Sequence, residues 1–213
     1  MTIKSAIALS ALAAMGLASN AYAGNVTAAS YTLSLPGDGN AQGGTYNYFD
    51  ETRRQLIDGK YGNNIWQSDL GNGPAYEWVG WANRGSVNVD FNMGGSKHVD
   101  SISVGTVQDF LGDVVVPNVS IYSSFDNLHW AFAGQLLTSA SSANNFQHFE
   151  LTLNGLNITA PFIRVNLSEA YPAWIFTDEV DFNTGHVPDG GATVGLLGGA
   201  VVLLAGMRKR FAF

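Results

Sequence analysis

The sequence predicts an all-β chain built as an antiparallel β-sandwich, and three observations predict it. Apolar and polar residues alternate with period two through the middle of the chain. Turn-forming clusters punctuate these runs, and no long amphipathic helix interrupts them.

Val87, Val89 and Phe91 alternate with Asn88 and Asp90, the pattern of a strand with one face on a core and one in water. Ile102 and Val104 alternate with Ser101 and Ser103, and Val119 and Ile121 repeat the pattern. Phe149, Leu151 and Leu153 follow, then Ile163, Val165 and Leu167, and Val180 and Phe182 close the series. Between them lie NMGGSK (92–97), FDNLH (125–129), SASSANN (139–145) and LNGLN (153–157), each rich in residues that favour turns. FDETRRQLIDG (49–59) is the best short helix candidate in this region.

The two ends have a different character. MTIKSAIALSALAAMGLASNAYA carries one early cation, Lys4, an apolar stretch from Ala6 to Leu17, and Ala21-Tyr22-Ala23 as a small-x-small cleavage site. That is the layout of a secretory signal peptide, with Ala21 and Ala23 as the small residues just before the scissile bond. The other end reads Val187-Pro188-Asp189-Gly190-Gly191, then an uncharged run from Ala192 to Met207, then Arg208, Lys209 and Arg210. A helix over that run would be ~24 Å long. A hydrocarbon core is ~30 Å thick, so the span suits a transient anchor in the inner membrane better than a permanent one. The basic cluster is the flank expected on the cytoplasmic side. A buried C-terminal helix of the domain is the alternative, but that would show a polar face.

The domains expected are therefore 1–23 as signal peptide, 24–186 as β-sandwich and 187–211 as C-terminal signal. All seventeen acidic residues fall within 24–189, against six basic ones, so this part carries a net charge of −11. Such a surface disfavours nucleic acid and anionic lipid. It tolerates divalent cations and neutral sugars. The chain has no cysteine, which excludes thiol chemistry, disulfides and Cys-zinc sites.

The ordered C-terminal motif, apolar segment and basic cluster resemble the PEP-CTERM class of sorting signals in its VPD-type variant. The resemblance implies export through the Sec machinery and processing by an exosortase-like enzyme. Val187, Pro188, Asp189 and Gly190 would be the recognition motif, and Arg208, Lys209 and Arg210 the basic stop. It further implies an envelope, cell-surface or extracellular-matrix location.

The body is similar to the discoidin or galactose-binding-like jelly-roll family. LIDGKYG (56–62), DFNMGGSKHVDSISV, PNVSIYSSFDNLHW and APFIRVNLSEAYPAWIFTDEVDF occur in that family's order over roughly residues 50–183. The resemblance implies one structural Ca²⁺ near the early D-G turn and the late acidic strand, and Asp58 and Glu179 match those positions. Hard cations take six to eight oxygens, which turns can supply as backbone carbonyls.

Sugar binding calls for an apolar stacking face beside a few placed polar groups. Trp66, Trp78 and Trp81 lie close together in sequence. Trp66 is the best exposed candidate, with Arg84 as a hydroxyl-binding partner, while Trp130 and Trp174 read as core. No catalytic constellation is recognised, for His98, His129, His148 and His186 are scattered and nothing selects one carboxylate pair. The expected function is a non-catalytic module that binds extracellular polysaccharide. A purely structural matrix protein and a glycoside-active hydrolase remain as alternatives.

Overall fold

The alternating runs become the strands of two antiparallel sheets. The computed structural model describes residues 24–40, 46–50, 52–62, 66, 77–109, 113–138, 147–169 and 172–185. The expected signal-peptide site at Ala21 and Ala23 lies outside the described residues, as do Val187–Gly190, the apolar run and Arg208–Arg210. The strands are β1 (Asn25–Val26), β2 (Ser30–Leu33), β3 (Gly39–Asn40), β4 (Tyr46–Asn47), β5 (Val79–Ala82), β6 (Ser86–Val99), β7 (Ser101–Gln108), β8 (Asn118–Ser124), β9 (Ala131–Leu136), β10 (Gln147–Leu153), β11 (Ile158–Ser168) and β12 (Trp174–Asn183).

One sheet runs β1-β12-β7-β10, with β5 also paired to β12; the other runs β2-β6-β11-β8-β9. A small β3–β4 pair stands apart from both. Val87, Val89 and Phe91 of β6 meet Ile163, Val165 and Leu167 of β11 in register, so both strands aim their apolar positions at one core. Ile102, Val104, Val180 and Phe182 line that core from the other sheet. Phe91 and Phe182 join the layers edge to face, their centroids 4.9 Å apart.

Two expectations are corrected. NMGGSK is not a free turn but an irregularity inside β6. Asn92 pairs with Phe162 and Lys97 with Ala160, so five steps on β6 answer two on β11. Gly94 and Gly95 take positive φ there, and the Asn92 side chain accepts the Gly94 N–H. FDETRRQLIDG holds only a 3₁₀ turn at Gln55–Ile57, because Arg53 adopts φ 54° and no side chain caps the turn.

The bulge in β12 has the largest consequence. Thr177 pairs with Thr106 and Val180 with Val104, so β12 carries one extra residue at Asp178-Glu179. An extra residue reverses which face the following side chains meet. Val180 and Phe182 thus enter the inter-sheet core, while Trp174 and Phe176 pack on the opposite face with Tyr48, Trp66, Trp78, Val107 and Val114. That second apolar cluster holds the segments around residues 48, 66 and 78 against the outside of the first sheet.

Candidate functional site

The bulge presents three carboxylates to the loop 58–62. Glu179 accepts the Gly59 N–H (2.9 Å), Asp178 accepts the Gly62 N–H (2.6 Å), and the Tyr61 hydroxyl donates to Asp181. Asp178 is fully buried and also accepts from His148 Nε2 (2.8 Å) and the Glu179 N–H (2.8 Å). Two glycines make room for this. A Cβ on Gly105 would lie 1.9 Å from Asp178 Oδ1, and one on Gly62 would lie 2.3 Å from the Trp78 ring. Burial raises the Asp178 carboxyl above its usual range, although the Gly62 N–H and His148 oppose the shift. Burial likewise pushes Glu179 up to about 8, and Asp181, Asp58 and Asp178 add repulsion.

Asp58 and Glu179 lie on the two sides of this contact, the Gly59 N–H beside Asp58 donating to Glu179 and the Asp58 charge repelling it. Among the described residues no three His, Asp or Glu side chains converge tightly enough to hold a metal alone. Yet the donor set suits a hard cation. Glu179 is a desolvated carboxylate surrounded by like charge, which a cation held there would relieve.

Trp66 is not a stacking platform for sugar. It is 6% exposed, lies flat against Phe176 (5.8 Å) and donates Nε1–H to Asp109 (3.1 Å). Its neighbours along the chain gave it a loop-like context, but the second apolar cluster claims it. Arg84 is engaged as well: its guanidinium grips Asp38, whose carboxylate also accepts the Ala82 N–H. Arg84→Ala is expected to leave the melting temperature nearly unchanged, because solvent screens an exposed pair. Trp174 joins the second cluster, stacked on Phe176 at 5.3 Å. Trp130, expected in the core, instead covers Arg164 outside the second sheet at 4.1 Å. The described histidines stay apart, His98 on Thr159, His129 on Asp126 and His148 on Asp178.

A cavity of about 440 Å³ opens beside β2, lined by Tyr31, Thr32, Leu33, Pro36, Gly37, Phe49, Asp50 and Arg53. The Tyr31 hydroxyl accepts the Leu56 N–H. Gly37 lies against the Tyr48 carbonyl so closely that a Cβ would meet it at 2.1 Å. Phe49 is 37% exposed. Asp50 Oδ1 accepts the Thr52 hydroxyl, while the buried Oδ2 has no hydrogen-bond partner among the described residues. Arg53 is held at positive φ, a conformation uncommon outside glycine and found often at ligand sites. Phe49, Asp50 and Arg53, an aromatic, an acidic and a basic residue, thus border one volume. Sequence reasoning placed these three residues in a helix candidate; their mixture of aromatic, acidic and basic types was the one available sign of a site.

The C-terminal residues 186–211 match the VPDSG-CTERM motif, with Gly190 where the motif's name has serine. Comparison with curated proteins gives no match. Solved structures of similar shape include the C-terminal domain of a chitobiase from Bacteroides fragilis, 14% identical over 75% of this chain and 96% of that one (TM-score 0.47). Another is chitosan-binding module 1 of a chitosanase/glucanase from Paenibacillus sp. IK-5, 12% identical over 76% and 99% (TM-score 0.46). A third, from Clostridium perfringens in complex with GalNAc-beta-1,3-galactose, is 11% identical over 75% and 99% (TM-score 0.45). Residues 36–184, well over half of the chain, match the family described as the discoidin domain-containing receptor 1/2, DS-like domain, and this chain belongs to that family.

Proposed function

We propose that this chain is an exported cell-surface or matrix protein whose discoidin-like sandwich binds glycan without catalysis. The observation that carries the binding reading is the cavity beside β2. Sugars present an apolar C–H face together with hydroxyls that both donate and accept. Phe49 offers the matching apolar face, the Asp50 carboxylate offers acceptors and Arg53 offers donors. The test is calorimetry of the Gly24–Gly185 fragment with short oligosaccharides released from the polysaccharide of the producing organism. Every described strand pairing and both apolar clusters lie within this fragment. Asp50→Ala is expected to weaken binding roughly ten- to hundredfold, since a hydrogen bond to a charged group is worth about 1.5–3 kcal/mol. No heat from the unaltered fragment with any of these oligosaccharides sinks the reading.

The burial of Trp66 favours the second reading, a structural matrix protein without ligand, and the same titration separates the two. The sorting reading rests on the motif that begins two residues after the domain match ends. Secretion through the Sec machinery would leave the chain transiently held in the inner membrane until an exosortase-like enzyme acts at Val187–Gly190. In the producing organism, Asp189→Ala is expected to accumulate a species retaining the C-terminal segment, visible as added mass. Normal processing of that variant contradicts the assignment.

Calcium belongs to the same proposal as a structural ion. Asp58 and Glu179 would hold it, and its charge would fix the loop 58–62 against β12.

A further inference from the structure

The outer face of the second sheet carries features that the cavity does not use. Outward positions on an antiparallel sheet are ordinarily polar, and here they are Asn88 and Asp90 on β6, Arg164 and Asn166 on β11, and Ser120 on β8. Asp90 grips Arg164 through two bonds (2.6 and 2.8 Å), so the pair neutralises itself, and Asn166 donates to Asn88 (2.7 Å). The face is thus without net charge in a chain of −7.

Aromatic rings stand among these groups. Trp130 lies over the Arg164 guanidinium, and Tyr122 meets Phe132 edge to face at 5.6 Å. Phe132 is 58% exposed. The register shift between Ile121 and Tyr122 sets Phe132 of β9 directly opposite Tyr122 of β8. A single exposed ring is ordinary, but rings grouped on one sheet face are informative.

We infer that this face is a second binding surface, one that receives an extended, uncharged polysaccharide chain lying across the strands. Adjacent strands are ~4.8 Å apart, so a chain crossing all five spans ~19 Å and meets a new row of side chains about once per strand. A sugar ring repeats on a comparable length. Amides and hydroxyls supply paired donors and acceptors, the rings supply apolar contact, and the absence of net charge excludes neither partner nor water by repulsion. A polyuronate gains no attraction here, since the one guanidinium is already held by Asp90. The inference rests on the glycan-binding reading but on different residues, so a single ring would bind at the cavity while a polymer would engage both surfaces.

The experiment is affinity electrophoresis of the Gly24–Gly185 fragment in gels containing a soluble mixed-linkage β-glucan, a galactomannan or polygalacturonate. Calorimetry with the oligosaccharides named above runs in parallel. At least one neutral polymer is expected to retard the fragment more than polygalacturonate does. Tyr122→Ala with Phe132→Ala is expected to reduce that retardation at least tenfold while leaving oligosaccharide affinity unchanged. Ser120→Arg, which keeps both rings and fills the middle of the face, is expected to do the same and guards against a folding artefact. Phe49→Ala should show the reverse pattern, losing oligosaccharide affinity and keeping part of the retardation. Retardation equal to that of the unaltered fragment in both face variants overturns the inference while the cavity reading stands. So does retardation by polygalacturonate alone, or by no polymer. Light scattering that shows a dimer dissolved by Phe132→Ala, without polymer retardation, assigns the face to a second copy and also overturns it.

Discussion

Asp178→Ala is expected to lower the melting temperature of the Gly24–Gly185 fragment by roughly 6–20 °C. Leaving a buried donor without its acceptor costs about 1–3 kcal/mol, so three donors together cost roughly 3–5 kcal/mol when His148 can turn to water, and each kcal/mol moves a domain of this size by about 2–4 °C. Asp178 is fully buried and is the common acceptor for the Gly62 N–H, the Glu179 N–H and His148. Its loss strands three donors at once and releases the loop 58–62 from β12. Gly105→Ala should be comparably damaging, because the new Cβ falls on Asp178 Oδ1 and these bonds prevent the carboxylate from moving aside. Asp178→Asn keeps the shape and one acceptor, so it should fall between the parent and Asp178→Ala. A change below about 1 kcal/mol for Asp178→Ala, the scale of an ordinary surface substitution, shows that the loop is held elsewhere.

With a chelator present, the fragment is expected to lose stability as the pH rises from about 4.5 to about 8. Glu179 has a folded-state value of about 8, above its ordinary 4.5, so the folded protein binds the proton more tightly than the unfolded chain does. Its contribution is fully present below pH 4.5 and is lost as the pH climbs through 8. Asp178 is raised too and acts in the same sense. Asp126, held below its usual range by the His129 N–H and ring, acts oppositely, losing its contribution only as the pH falls below 3.8. Glu179→Gln should therefore flatten the decline between pH 4.5 and 8. Calcium should reverse it, adding about 2.7 kcal/mol at a hundred times its dissociation constant, and doing so at pH 8 far more than at pH 5. Equal melting temperatures with calcium and with chelator at pH 8 remove calcium from the proposal.

How far the sequence could be read depended on whether a residue's partner was local. The period-two runs of β6, β7, β8, β10, β11 and β12 were legible because each strand declares its buried face by itself. β2, β5 and β9 were not, since SYTL alternates over only four residues while VGWA and AFAGQL show no clean alternation. The bulge at Asp178-Glu179 also escaped, because only the pairing with β7 reveals the extra residue that sends Phe176 and Phe182 to opposite faces. Asp58 and Glu179 were named only from their place in a family pattern, since the contact of the loop 58–62 with β12 spans some 120 residues. Trp66 was misplaced for the complementary reason, as its partners Phe176 and Asp109 lie far along the chain. The cavity depends on the approach of residues 49–53 to β2, which no spacing in the sequence encodes.

The most direct test of glycan binding is retention of the Gly24–Gly185 fragment on intact polysaccharide from the producing organism, measured against a matched inert matrix. The account predicts retention of the unaltered fragment and its loss when Phe49→Ala and Asp50→Ala are combined with Tyr122→Ala and Phe132→Ala, with the fold intact by melting temperature. Passage of the unaltered, folded fragment without delay, in calcium and in chelator alike, contradicts it.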